Sequence, residues 1–250
     1  MFEEHFCQHD SMVHRLDPRA RVMAAFCFAL FLAMTSSFAT AGVSLVLTVG
    51  LVLLARLSLM SVSGRLVAVN GFILFMWLFV PATYGGEPWL SLGPIDISRQ
   101  GVLVCALITI KSNAVVLLFI ALVNTMSMPT LGSVLSWWGA PSKLVQLLLF
   151  TYRYVHVIGR EFRRLLTAAK IRGFSPRTNL RTYRTYAFLA AMVLVRSLDR
   201  AERVEQAMRL RGFTGQFHGL AEFRFQAADL AFCCLGGLSL LCLAWLEWMA

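Results

Sequence analysis

The chain has 250 residues, of which 58% are hydrophobic and only 14% are charged, a composition that excludes an ordinary water-soluble globular protein. We therefore expect the lipid bilayer to solvate most of its surface. The formal charge is +10, and 20 of the 23 basic residues are arginines. Such an excess can indicate nucleic-acid binding, but here the arginines follow the pattern of membrane topology, so no nucleic-acid partner is predicted.

Apolar stretches of nearly the length that a membrane-spanning helix needs, about 20 residues, occur four times in the first half of the chain. A fifth closes the chain. The predicted spans cover about residues 20–38, 41–57, 66–81, 101–123 and 227–248. The fold class that follows is an all-α membrane protein with about five transmembrane helices.

Topology follows from the positions of Lys and Arg, which concentrate in the cytoplasmic loops of membrane proteins. Sixteen basic residues lie between positions 125 and 224, Arg15, Arg19 and Arg21 precede the first span, and Arg56 and Arg65 flank the loop after the second. The turn expected at 38–42 and the loop at 82–100 lie on the other side. We predict a multi-pass protein of the bacterial inner membrane with a cytoplasmic N-terminus. The predicted domains are an N-terminal bundle of four spans (1–125), a cytoplasmic module (126–224) and a C-terminal span (225–250).

Within the cytoplasmic module, the sequence predicts two long amphipathic helices, at about 142–172 and 182–211. Apolar residues recur along both at intervals of three or four, with Arg and Lys between them. About 30 residues each correspond to about 45 Å of helix. Two such helices need each other, or another protein, to cover their apolar stripes.

Both predicted helices end in the pattern A-x-[KR]-[IL]-R-G-F, repeated 39 residues apart. One interpretation is that each Gly forms a left-handed C-cap and each Arg balances the helix dipole. The alternative, which the repetition favours, is a paired docking device. Each Arg would then bind a partner carboxylate with two hydrogen bonds, and each Phe would fill an apolar pocket beside it. The candidate docking residues are Arg172, Gly173, Phe174, Arg211, Gly212 and Phe213.

At these residues the sequence resembles the transmembrane T subunit of energy-coupling-factor (ECF) transporters, a family marked by two X-Arg-Gly motifs at the ends of cytoplasmic coupling helices. The entry into the first span, HRLDPRA at 14–20, and the R-G-F endings are most similar to the cobalt-type CbiQ proteins. Ile171 and Leu210 stand where the family often has Ala.

The resemblance implies a subunit that grips two ABC-type ATPases through Arg172 and Arg211. It would pass their nucleotide-driven closure to a separate substrate-binding membrane subunit, with cobalt ions as the expected cargo. The sequence contains no G-x-x-x-x-G-K-[ST] motif, so ATP must be bound by another chain. No catalytic, cofactor or metal site is predicted in this chain, which we expect to be non-catalytic.

Lys111 lies near the middle of the fourth predicted span, where a charge is costly and often marks a functional contact. Two interpretations stay open: a contact with the substrate-binding subunit, or pairing with backbone carbonyls or a wet, protein-lined face. The alternative function, a self-contained secondary transporter, would need charged groups or broken helices at the midplane. Lys111 is the single residue that favours it.

Overall fold

The computed structural model describes residues 16–55, 57–85, 88–92, 95–213 and 227–249. Within these residues the chain forms helices and one two-stranded hairpin, and the predicted all-α membrane fold is confirmed. The elements in chain order are α1 Pro18–Met34, α2 Phe38–Leu54, α3 Leu59–Thr83, β1 Pro88–Leu92, β2 Ile95–Ser98, α4 Arg99–Leu122, α5 Met128–Trp137, α6 Ser142–Ile171, α7 Leu180–Leu210 and α8 Ala227–Met249.

The chain divides into two compact units. We call Met1–Leu131 together with Glu222–Ala250 the membrane unit, and Gly132–Ala221 the helical module. Three helices of the membrane unit are long and apolar enough to cross a bilayer: Met60–Thr83 of α3, α4 and α8. The helices α1 and α2 have 17 residues each, which corresponds to a length of about 25 Å. That α1 and α2 also cross the membrane, giving five spans, stays a prediction.

Several predicted boundaries are wrong. The third span was expected at 66–81, but α3 begins at Leu59, because its first turns are polar without breaking the helix. Arg65 therefore lies inside α3 and not in a loop. The turn expected at 38–42 lies at 35–37, since α2 already begins at Phe38. Arg15 and Arg56, which supported the topology, lie outside the described residues.

The loop expected between the third and fourth spans contains the hairpin. The strands β1 and β2 pair antiparallel, with Leu92 opposite Ile95. The Ser98 hydroxyl then accepts a hydrogen bond from the Gly101 backbone N–H (3.3 Å) and caps α4. Gly101 itself packs so close to the end of α3 that a Cβ there would lie 2.8 Å from the Cα of Pro81.

The core of the membrane unit centres on α4, which contacts α1, α2 and α3. Its residues Leu118 and Ala121 are fully buried, as is Leu32 of α1. The helix α2 buries small side chains, among them Thr40, Ala41, Ser44 and Thr48. Small residues allow helix backbones to approach closely in a membrane, and the Ser44 hydroxyl is satisfied by the carbonyl of Thr40 (2.7 Å).

In the helical module, α6 and α7 cross where Glu161, in the second half of α6, pairs with Arg196, near the middle of α7. Ile158 of α6 and Ser197 of α7 lie in the same region. Both helices are strongly amphipathic, as predicted, and their observed ends agree with the predicted ones to within two residues. At α5, a Cβ on Gly132 would lie 2.9 Å from the Leu149 side chain, so α5 packs closely on α6.

Candidate functional site

The ends of α6 and α7 have the same backbone geometry. Gly173 and Gly212 adopt φ angles of +84° and +77°, in the left-handed region. The N–H of Phe174 donates to the Ala169 carbonyl, and that of Phe213 to the Met208 carbonyl, each at 3.1 Å. The two Gly N–H groups donate in the same way to the carbonyls of Lys170 and Arg209. Both ends are therefore Schellman caps, and the predicted left-handed conformation is confirmed.

A third Schellman cap, without an arginine, ends α5. Gly139 has φ +83°, and the N–H of Ala140 donates to the Leu135 carbonyl at 3.1 Å. The residue before Gly139 is Trp138, at the position that Arg172 and Arg211 occupy in the other two caps. The cap thus needs the glycine and not the arginine. Capping geometry explains Gly173 and Gly212 but leaves the two arginines unexplained.

The residues just before the two glycines are exposed at both helix ends. Arg172 and Arg211 are exposed. The aliphatic residues before them are exposed as well, Ile171 by 81% and Leu210 by 89%. A large aliphatic side chain so fully exposed at both repeats has no packing role within the described part of this unit. Each end presents an apolar side chain next to a guanidinium group.

The two Phe residues of the motif are half-buried within the module. The Phe174 ring packs edge-on against Tyr186 of α7, with the ring centroids 5.7 Å apart. Phe213 lies at a cavity of about 540 Å³ between α6 and α7, which Tyr154 and Met208 also line. Part of each Phe ring therefore packs within the module. That the two rings also fill pockets of a partner stays a prediction.

The two R-G-F ends lie on opposite sides of the helix crossing. Arg172 follows Glu161 by 11 residues on α6, and Arg211 follows Arg196 by 15 residues on α7. The first end shares a cavity with Thr182 at the start of α7. Along the helix axes, the ends are about 16 and 22 Å from the crossing. One molecule can therefore present two similar contacts at separate places.

The ion pair at the crossing fastens α6 to α7. The Arg196 guanidinium hydrogen-bonds the Glu161 carboxylate and holds the pKa of that carboxyl below its usual value. Periodicity alone had not revealed this pair, because the two residues are 35 positions apart. An exposed pair contributes little to stability, but it restricts where the two helices can cross.

Lys111 bonds to the end of α1. Its Nζ donates to the carbonyls of Ala33 (3.0 Å) and Thr35. On the other side of the same turn, the Glu247 carboxylate accepts from the N–H groups of Ser36 (2.7 Å) and Ser37 (3.2 Å). Lys111 lies in the middle of α4, where backbone groups outside a helix need partners from the protein. A lysine and a glutamate thus satisfy the carbonyls and the amides of the turn between α1 and α2.

The sequence of the chain also matches a known protein family. The sequence model of the family described as cobalt transport protein, CbiQ, matches residues 9–219, which is most of the chain. The chain belongs to the CbiQ family. The resemblance inferred from the two R-G-F endings is thereby confirmed, and the chain is a membrane protein of a transporter family.

Relatives of this chain include a CbiQ protein and several EcfT proteins. The chain is 30% identical over 134 residues to the cobalt transport protein CbiQ of Rhodobacter capsulatus, and the match spans about half of each chain, 53% of this one and 54% of the relative. It is 25% identical over 219 residues to the energy-coupling factor transporter transmembrane protein EcfT of Leuconostoc gelidum, covering 83% and 82%. The EcfT protein of Brevibacillus brevis is 26% identical over 216 residues, 82% of each chain.

A buried polar cluster at the start of α1 was missed by sequence reasoning, which assigned Arg21 only to the topology pattern. Arg21 is 2% exposed, and its guanidinium donates to the Leu122 carbonyl (3.0 and 3.2 Å) and to the Thr125 hydroxyl. The Asp17 backbone N–H donates to the buried Asp229 carboxylate at 2.6 Å. These contacts join α1, the end of α4 and the start of α8.

Across the described residues, no group of three or more His, Cys, Asp and Glu side chains could hold a metal ion. His5, His9, His14 and His218 lie outside the part of the chain that is described. For this member of the CbiQ family, the site with the clearest geometry is therefore the pair of R-G-F ends.

Proposed function

We propose that the chain is the transmembrane T subunit of an ECF-type, ATP-driven importer of the bacterial inner membrane. It binds two ABC-type ATPases at the Arg172 and Arg211 ends, with the N-terminus and the helical module in the cytoplasm. Closure of the ATPases on ATP then moves α6 and α7, and that movement reaches a separate substrate-binding membrane subunit. Membership of the CbiQ family and similarity to the EcfT transporter proteins support this role.

The observation that carries the proposal is the pair of matched helix ends. Two Schellman caps of the same geometry each hold an exposed guanidinium beside an exposed aliphatic side chain, while the cap at Gly139 shows that the turn itself requires no arginine. The planar guanidinium group of an arginine can form two parallel hydrogen bonds with a carboxylate. A neighbouring apolar side chain adds binding energy when the contact excludes water from it. A pair of such ends suits two copies, or two homologous subunits, of one kind of partner.

Cobalt ions are the cargo that we propose. The family description and the name of the Rhodobacter capsulatus relative support this choice. The substrate-binding subunit would hold the ion, since this chain needs no metal site for a coupling role. Lys111, which alone favoured a self-contained secondary transporter, bonds to the end of α1, so that function gains no support from it. The bonds to the end of α1 favour the structural interpretation of Lys111, and a contact with the substrate-binding subunit stays the alternative.

Uptake of radioactive cobalt by cells that express the complete transporter tests the proposal. We expect Arg172→Glu with Arg211→Glu to abolish uptake while the protein stays in the membrane. The control is Arg160→Glu with Arg163→Glu, which reverses the same number of charges on exposed positions of α6. Equal uptake by the docking variant and the wild type would refute the docking role. Wild-type uptake of an organic vitamin but not of cobalt would refute the cargo alone.

A further inference from the structure

The two R-G-F ends share a motif and a cap but differ in their surroundings. Beside Arg172, a cavity of about 630 Å³ is bordered by the end of α6, the connection to α7 and the start of α7. Besides Arg172, the basic residues that line it are Arg177, Arg181 and Arg196. Among the residues that the structure describes, no carboxylate lines this cavity.

Three of these arginines have no partner in the described part of the chain. Arg196 is held by Glu161. In contrast, the side chains of Arg172, Arg177 and Arg181 form no hydrogen bond or ion pair with any described residue, and all three are exposed. Three guanidinium groups at one cavity repel one another, and an anion that bound among them would relieve this repulsion.

The backbone that carries two of them is fixed. The Asn179 side-chain oxygen accepts from both the N–H (2.9 Å) and the hydroxyl (2.7 Å) of Thr182, which is buried. The Thr182 hydroxyl in turn accepts from the Arg177 backbone N–H at 3.1 Å. The backbone of Arg177, in the connection, and of Arg181, in the first turn of α7, is therefore already ordered, which lowers the entropy cost of binding.

The Arg211 end lacks such a site among the described residues. The cavity nearest to it is mainly apolar, with Phe150, Tyr154 and Val204 in its lining. One of its two arginines, Arg209, is already paired with Glu205 of the same helix. The second end thus offers Arg211 beside a mainly apolar cavity, where the first end offers three unpaired arginines at one cavity.

From this asymmetry we infer that the cavity beside Arg172 binds a carboxylate-rich segment of the ATPase that docks there, through Arg177 and Arg181 in addition to Arg172. The inference rests on the proposed function, because Arg172 is the docking residue of that end. An acidic protein segment fits better than a small anion, since the cavity is open, continuous with the exposed Arg172 and large enough for several side chains. The Arg211 contact would depend less on charge.

The test uses the full-length chain in nanodiscs of phosphatidylcholine and the ATPase that co-purifies with the tagged wild-type chain. The affinity of this ATPase is measured at low and at high salt for two double variants of the chain. One is Arg177→Ala with Arg181→Ala, and the control is Arg160→Ala with Arg163→Ala. The control pair removes the same charge from exposed positions of α6 that line neither cavity.

We expect the Arg177/Arg181 variant to bind about five- to tenfold more weakly than the control at low salt, and the difference to shrink to within about twofold at high salt, where screening removes it. Affinities equal to the control at both salt concentrations would overturn the inference. A loss of ATPase affinity by the Arg177/Arg181 variant that occurred only in nanodiscs containing phosphatidylglycerol would also overturn it. That result would assign the cavity to lipid headgroups. If Arg172→Glu with Arg211→Glu also bound the ATPase normally, the proposed function itself would fail.

Discussion

At the scale of single residues, Gly173, Gly212 and Gly139 form a matched set, because all three occupy left-handed caps but only the first two follow an arginine. Substitution of any of them by Ala should destabilise the helix end by about 1–2 kcal/mol, the cost of a Cβ in this conformation. We expect Gly173→Ala and Gly212→Ala also to weaken ATPase binding, because the arginine before each glycine would change direction. Thermal unfolding and ATPase co-purification of the three variants measure the two effects.

The control in this series is Gly139→Ala. It should lose similar stability and retain full ATPase binding. Equal loss of binding in all three variants would mean that stability, and not the direction of the arginines, limits docking.

Lys111 gives a second residue-scale prediction. Replacement by Met keeps the length of the side chain but leaves the carbonyls of Ala33 and Thr35 without their charged donor, which should cost about 1–3 kcal/mol. We expect a lower unfolding temperature in detergent and, in protein that stays folded, unchanged binding of the substrate-binding subunit. Normal thermal stability with loss of that subunit would instead assign Lys111 to the interface.

The caps at Gly173 and Gly212 could be predicted from the sequence because their pattern is local. A Gly after the last helical Arg specifies a cap, and the repeat of seven positions marks it twice. Pairing with backbone carbonyls was one of the two predicted interpretations of Lys111, but the sequence could not predict which carbonyls. The partners of Lys111 and Arg21 lie 76 to 104 positions away in the chain. Such contacts depend on how the helices pack, and no spacing in the sequence encodes them.

At the scale of helices, the approach of α3 to α4 depends on Gly101. A Cβ at this position would lie 2.8 Å from the backbone of Pro81, which cannot move aside like a flexible side chain. We expect Gly101→Ala to force the two helices apart and to cost about 1–3 kcal/mol. The measurement is the thermal stability of the purified protein.

The matched control is Gly71→Ala, inside α3, where a Cβ would meet no atom within 4 Å. Alanine favours a helix over glycine, so this variant should be as stable as the wild type or slightly more stable. A Gly101→Ala protein as stable as Gly71→Ala would contradict the close approach.

Helix boundaries were predictable where strong end signals occur and not elsewhere. The end of α6 was placed within one residue, because Arg172 and Gly173 mark it. The start of α3 was missed by seven residues, because Ser61, Ser63 and Arg65 interrupt the apolar run. The hairpin at Pro88–Leu92 and Ile95–Ser98 is too short for a period-two pattern to stand out.

At the scale of the whole molecule, the chain forms two units whose surfaces differ in polarity. Apolar helices with small buried side chains build the membrane unit, while amphipathic, arginine-rich helices build the module that carries both R-G-F ends. The buried cluster of Asp17, Arg21 and Asp229 secures the membrane unit at the starts of α1 and α8. A firm membrane unit and two spaced R-G-F ends agree with the coupling role that we propose.

The most direct test of the central claim is the stoichiometry of the complex that the tagged chain forms, measured by native mass spectrometry after gentle purification from its own membrane. We predict two ATPase subunits per chain, and no ATPase with Arg172→Glu combined with Arg211→Glu. The charge-matched variant Arg160→Glu with Arg163→Glu should keep both. Recovery of the wild-type chain without ATPases, or of two ATPases with the double docking variant, would contradict the account.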